Sequence, residues 1–280
     1  MSNFSELRKK YKAEIDEMCL MDDNFMSAVL EDKACCELVL SIILNRDDIE
    51  VIECKTQYSM TNLHGRAVRL DVLAKDKTGA YLNIEVQRND RDAVPKRARF
   101  NSSLLDANVV EKGTEFKDLP ETFVIFITEN DVLGKGLPLY TVDRIVRETN
   151  EIFDDKSHII YVNSQITNDS ALGRLMSDFR CKNPEEMHYD VLSDIAKFAK
   201  EREDEKGMCQ IIDDIVQREC KEVEKKAEKK SSVNTALRMI DEGIFTVEQI
   251  SKISTLPLEE VEELIKKHSA REYDFEGKKI

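Results

Sequence analysis

Asp71 and Glu85, with Gln87 two residues beyond, are the residues whose types and spacing point most directly to chemistry. Two carboxylates on one face of a hairpin, with an amide beside them, make an oxygen donor set for a divalent cation. Val68, Leu70, Val72 and Ala74 alternate with Arg69, Asp71 and Leu73, and Leu82, Ile84 and Val86 alternate with Tyr81, Asn83, Glu85 and Gln87. Both runs have the period of a strand. Lys77-Thr78-Gly79 reads as the turn between them, with Gly at the position needing positive φ and Asp76 closing against Ala80. Counting back from that closure sets Asp71 opposite Glu85, where paired Cβ atoms lie about 4.5–5.5 Å apart. Like charges so placed destabilise a sheet. The register therefore calls for a bound cation, a nearby Arg, or a bulge that shifts the pairing. The same alternation also suits the wet face of an ordinary antiparallel sheet.

The following segment weighs toward chemistry. Arg88, Arg91, Lys96, Arg97 and Arg99 come directly after the acidic hairpin, in a stretch that turns helical through Phe100, Leu104, Leu105 and Asn108. Phosphodiester hydrolysis needs this pairing of groups: a metal to activate water and polarise a phosphoryl oxygen, and Arg or Lys to hold phosphates.

The order of these residues resembles a known family. An apolar helix, a strand, Leu70-Asp71-Val72, a hairpin, Asn83-Ile84-Glu85-Val86-Gln87, Lys96-Arg97-Ala98-Arg99-Phe100, Lys112-Gly113 and Phe123-Val124-Ile125-Phe126-Ile127 follow one another as in the PD-(D/E)XK nuclease superfamily, in its transposase-like or recombination-promoting branch. The resemblance spans roughly residues 20–165, and its specific part is the hairpin with the Arg-rich helix. It implies an α/β fold with a restriction-endonuclease-like αβββαβ core and a mixed sheet, to which the composition from about residue 183 adds a helical C-terminal tail. It also implies cleavage of DNA with Mg²⁺, or Mn²⁺ in its place. On that basis Asp71, Glu85 and the backbone carbonyl of Val86 hold the metal, Gln87 orients the attacking water, and Arg97 or Arg99 contacts phosphate. Gln87 stands where the family usually has Lys, and an amide dipole stabilises developing negative charge less than a full positive charge does. Some superfamily members take a third acidic ligand from the first helix, where Glu31 and Glu37 are the candidates. The rival reading is a nuclease fold that has become a binding or assembly module, self-associating through its helical tail.

Composition sets limits on both readings. The chain has 280 residues and a net charge of −14, an awkward balance for a protein that must neutralise phosphates. A local cationic cluster can still act within an acidic chain. The seven cysteines form no Cys-x-x-Cys pair and have no His at zinc spacing, so they read as reduced thiols. The N-terminus is polar and the longest apolar runs are too short to span a bilayer, which places the expected protein in the cytoplasm and off the membrane. With nine glycines, the chain has no phosphate-binding loop or dinucleotide fingerprint.

Along the chain, Asp22 or Asp23 caps a predicted helix that runs to Ile43, Ile49–Met60 reads as a strand, and 61–66, with His64, as the turn into the Asp71 strand. A lone loop His carries no assigned role. Phe123–Thr128 and Ser157–Asn163 read as buried strands, and the segment 140–150 as either a strand end or a short helix. The nuclease-like domain is expected over 1–182 and a helical region over 183–280. In the latter, 201–230 is densely charged, with an apolar stripe of Met208, Ile211, Ile212, Ile215 and Val216. Thr246-Val247-Glu248-Gln249 matches a capping box, and Pro257 opens a last helix. Such a pair resembles a helix-turn-helix, but Glu259, Glu260, Glu262 and Glu263 would set carboxylates where a DNA reader presents Arg or Asn, so packing or oligomer contact is the favoured role.

Overall fold

The computed structural model describes residues 10–60, 68–88, 93–110, 113–201, 227 and 229–271. The chain forms two compact units, 1–212 and 213–280. His64 with the expected 61–66 turn, Arg91, Lys112 and the apolar stripe of 208–216 lie outside the described residues.

The first unit opens with three helices, α1 (Lys12–Asp16), α2 (Asp23–Leu30) and α3 (Lys33–Leu44). The single helix predicted from Asp22 to Ile43 is thus divided. Asp32 divides it: its carboxylate accepts the amides of Ala34 and Cys35, at 2.9 and 3.1 Å, and so caps α3 instead of continuing α2. Strands β1 (Val51–Met60), β2 (Val68–Asp76) and β3 (Tyr81–Gln87) follow, then α4 (Pro95–Val109) and β4 (Thr122–Thr128). This is the expected αβββαβ order. Strands β5 (Leu139–Val142), β6 (Ile145–Val146), β7 (Glu151–Ile152) and β8 (Ser157–Asn163) come next. The ambiguous 140–150 segment therefore supplies strand, with β5 as an edge and β6–β7 as a separate ribbon. Helices α5 (Ala171–Arg180) and α6 (Asp190–Glu201) close the unit.

The sheet order is β1-β2-β3-β4-β8-β5. The first three strands form an antiparallel meander, β3, β4 and β8 run parallel, and β5 returns antiparallel. Parallel neighbours force a crossover, and α4 is the one between β3 and β4. Glu85, Phe126 and Tyr161 align in one row across the parallel strands, and Asn83, Val124 and Ile159 in the next. This face packs under Ala98, Leu104 and Leu105 of α4. Helices α2 and α3 contact β1, and α2 also contacts β2. Every residue of β4 is buried, as a strand covered on both faces requires.

Helical composition begins near residue 183, but α6 packs against α2 and α3 and so belongs with the first unit. Its start is fixed by the fully buried Asp178, which accepts the amides of His188 and Tyr189 at 2.8 and 3.0 Å and also contacts His188 Nδ1.

In the second unit a helix over 229–242 ends at Gly243, whose φ of +69° suits a residue without Cβ. Helices α8 (Val247–Ser254) and α9 (Leu258–Arg271) follow, the 229–242 helix being α7. Ala236, Met239, Ile250, Leu256 and Val261 form the core of this unit. The capping box is present in both directions: Thr246 Oγ1 accepts the Gln249 amide at 3.3 Å, and Gln249 Oε1 accepts the Thr246 amide at 2.9 Å. No helix among the described residues is long and apolar enough to cross a membrane.

Replacing Asp178 by Ala strands two amides that now bond to a carboxylate. Urea unfolding should show a loss on the order of 3 kcal/mol, with Asp178→Asn recovering part of it; an unchanged midpoint would remove Asp178 from this role.

Candidate active site

The β2–β3 hairpin has the register read from its turn. Gly79 takes φ +91°, the Asp76 amide donates to the Ala80 carbonyl at 3.1 Å, and Asp76 Oδ1 accepts the amides of Thr78 and Ala80. Regular pairing runs from Lys75↔Tyr81 to Val72↔Ile84. One step further the ladder stops, and side chains take over the backbone bonds. Asp71 Oδ2 accepts the Val86 amide at 3.0 Å, and the backbone of Asp71 favours the ionised form of the Glu85 carboxyl. Each acid is thereby held by the other's strand.

Both acids are buried, Asp71 at 6 % exposure and Glu85 at 0 %. Burial pushes the Asp71 carboxyl up from 3.8 to about 7; the neighbouring charge of Asp23 adds to this, while the Val86 amide, Arg97 and Arg69 oppose it. Glu85 is raised well above its usual value, first by burial and next by the Asp71 charge, with Arg97 opposing. Two further groups hold Glu85. Asn83 Nδ2 donates to Oε1 at 2.9 Å, and Arg97 Nη2 approaches Oε2 at 3.4 Å from the first turns of α4. Among the described residues the ion pair to these carboxylates is that of Arg97, at a distance longer than an ideal one, with the charge of Arg69 also acting on Asp71.

Gln87 lies two residues beyond Glu85 on the same sheet face, half-buried, in a row with Thr128 and Asn163. Its own carbonyl bonds to the Glu129 amide, on the β4 side. Strand alternation therefore turns the Val86 amide and carbonyl toward β2, as the Asp71 bond to that amide confirms. Arg97 is brought to the pair. Arg99 is not: two residues along a helix is more than half a turn, and its side chain is exposed away from the carboxylates.

Neither first-helix candidate joins them. Glu37 Oε2 accepts the Val51 amide at 3.0 Å, and Glu31 ends α2 near Cys54. The acid that does bear on both site carboxylates is Asp23, at the start of α2. Arg88 sets that helix end, pairing with Asp22 at 3.2 Å and donating Nε to the Met21 carbonyl at 3.2 Å. Sequence reading treated Asp23 only as a helix cap and Arg88 as part of a cationic cluster. The usable signal was their type and place, an acid in the first turn of the helix that covers β1 and β2. Asn83 was likewise read only as part of a motif string.

Among the described residues no three His, Cys, Asp or Glu side chains gather as a metal cluster. The set present is the two carboxylates of Asp71 and Glu85. Its hard oxygen donors fit a cation such as Mg²⁺, which is commonly bound by one or two carboxylates and completes its shell with water and substrate phosphate.

The six-stranded mixed sheet, with the αβββαβ order that carries Asp71 and Glu85 on its second and third strands, is consistent with a PD-(D/E)XK nuclease-like fold. The chain belongs to the family described as PD-(D/E)XK nuclease family transposase, which matches residues 12–171, more than half of its length. No curated protein and no solved structure matches it.

The raised carboxyls make a pH prediction. A carboxyl whose folded pKa exceeds its unfolded one favours the fold while protonated, and that contribution is lost as pH rises from about 4 toward 7. In EDTA, Asp71→Asn should therefore be more stable than wild type at pH 8, by about 1–4 kcal/mol, and the gap should close near pH 4. Equal thermal midpoints across that range would show that Asp71 carries no such cost.

Proposed function

We propose that this protein is a metal-dependent DNA endonuclease that hydrolyses phosphodiester bonds, working in DNA recombination or mobile-element biology. The observation that carries the reading is the buried Asp71–Glu85 pair, each acid held by the other's strand and the two faced by Arg97. Asp71, Glu85 and the Val86 carbonyl hold Mg²⁺ or Mn²⁺, and the metal, when bound, lowers the pKa of a water and draws charge from the phosphoryl oxygen. Asn83 fixes the rotamer of Glu85, and the Val86 amide fixes that of Asp71. Gln87 orients the attacking water through its amide. Arg97, which lies 3.4 Å from Glu85, would meet a non-bridging phosphate oxygen. Arg99, on the outer side of α4, holds a neighbouring phosphate of the same duplex. The described cysteines, none of them in a disulfide, fit a cytoplasmic setting.

The test is nicking of supercoiled plasmid at low salt in Mg²⁺, Mn²⁺ and EDTA. Wild type should nick with either metal and stop in EDTA, and Asp71→Ala or Glu85→Ala should abolish nicking. Arg97→Ala should slow it by about 10²–10³. A folded wild type inert under every condition would leave the fold as a binding or assembly module, with the C-terminal helices as the place to look for partners.

A further inference from the structure

A cavity of about 210 Å³ lies between β1, β2 and the C-terminal end of α4, on the same sheet face as the carboxylate pair. Leu73 and Lys75, two and four residues along β2 from Asp71, line it, so its far side is about 13 Å along the strand from the acids. Two half-buried rings form its walls. Tyr58 and Tyr81 pack against the hydrophobic cluster under α4, and that packing fixes their planes. A lysine is drawn to each ring: Lys55 Nζ is 5.5 Å from the centre of Tyr58, and Lys75 Nζ is 4.9 Å from that of Tyr81.

The two lysines differ. Lys55 is paired with Glu53 at 2.6 Å, whereas Lys75, cross-strand from Glu53 and within reach of its charge, rests over a ring. The pocket thus offers two ammonium groups set against one carboxylate, Glu53, which is paired with Lys55, and with them two aromatic surfaces and the amide oxygen of Asn108, whose Nδ2 is already committed to the Leu104 carbonyl. An inorganic anion would leave the rings without use, and an apolar ligand would leave the lysines without use. A planar, hydrogen-bonding group that carries a phosphate uses all of them. In an acidic chain, this is a local exception to the net charge.

We propose that this cavity binds an unpaired nucleotide, its base on Tyr58 and Tyr81 and its phosphate on Lys75, in a strand whose neighbouring phosphate lies at Asp71 and Glu85. The assignment rests on the reading that the protein acts on DNA, and it narrows the substrate to duplexes with a single-stranded flank. Bases within a duplex present no free face to a ring, whereas a base in an overhang or gap does.

Binding of the full chain is measured by fluorescence anisotropy in EDTA, so that no cleavage occurs. The probes are a blunt duplex and the same duplex with a single-stranded overhang that carries 2-aminopurine. Wild type should prefer the overhang by about tenfold and quench the 2-aminopurine. Tyr81→Leu should lose both, and the double replacement Lys55→Gln with Lys75→Gln, at one exposed and one half-buried lysine, should lose the preference. Binding to the blunt duplex should be unchanged in all of them. Equal affinity of wild type for the two duplexes, or a preference that survives in the double variant, would overturn the assignment. So would free dAMP binding more tightly than the overhang, which would make the site one for a free nucleotide. A protein that keeps the overhang preference yet never nicks plasmid retains this site and loses the catalytic reading. One that nicks but shows no preference does the reverse.

Discussion

The structure depends on burying two carboxylates side by side. Water would screen Asp71 from Glu85, but inside the sheet their repulsion and the loss of hydration both act, and both acids are driven toward the protonated form. Four offsetting groups come from three elements. The Val86 amide is on β3, the Asp71 backbone on β2, Asn83 further back along β3, and Arg97 on the crossover helix. The layers of the fold follow from this arrangement. A meander brings the two acids opposite each other, parallel β4 covers the far side of β3, and α4 must return across that face to reach β4, carrying Arg97 past Glu85 on the way.

The hairpin was legible because its signals are local. Alternation, a turn with Gly at positive φ and a fixed loop length give the register without knowledge of the rest of the chain. The long apolar strands β4 and β8 were legible for the same reason. Arg97 was named with Arg99, and only the rotation of the helix about its axis separates them. The contribution of Asp23 was not legible, because it depends on Arg88 gripping Asp22 and Met21 across 66 and 67 positions of sequence, a contact that no local pattern announces. The division between α2 and α3 was lost for a different reason. The apolar spacing runs on through Asp32, and only its side-chain bonds to Ala34 and Cys35 show that a new helix begins there. Edge strand β5 follows a loop tied by Asp131, which accepts the amides of Gly134 and Gly136 and the Tyr140 hydroxyl, so the glycines that marked a loop also set where the strand begins.

The net charge of −14 and a DNA substrate are reconciled by where the charges sit. Several surface lysines and arginines are spent on carboxylates, as with Lys77 and Glu50, Arg46 and Asp48, or Lys197 and Glu185, and these exposed pairs add little to stability. The cations on the α4 side of the sheet are different in kind. Arg97 faces an acid that a metal would claim, and Lys75 rests on a ring. In the second unit, Glu260 pairs with Lys229 at 3.2 Å, and Glu259, Glu262 and Glu263 are exposed along α9, a surface that would repel a phosphate backbone. On the proposed reading, long-range attraction to DNA is weak and binding depends on contacts at the nuclease face. Such a protein associates slowly with bulk DNA and discriminates by local structure.

Gln87 sharpens the same point. At the site, Asp71, Glu85 and Asp23 are set against Arg97, with Arg69 contributing at longer range. A lysine at position 87 would add a positive charge and relieve part of the imbalance without any metal. Glutamine adds none, so the two buried acids keep their raised pKa values and the demand for a cation stays with the site. The cost is that burial holds the Asp71 carboxyl up at about 7 and that of Glu85 well above its ordinary value, so that on the proposed reading a bound cation would compete with protons. On the proposed reading, Asp71 and Glu85 would gain charge compensation when a cation binds, and with no lysine at position 87 the residue beside them, Gln87, would orient a water without adding charge.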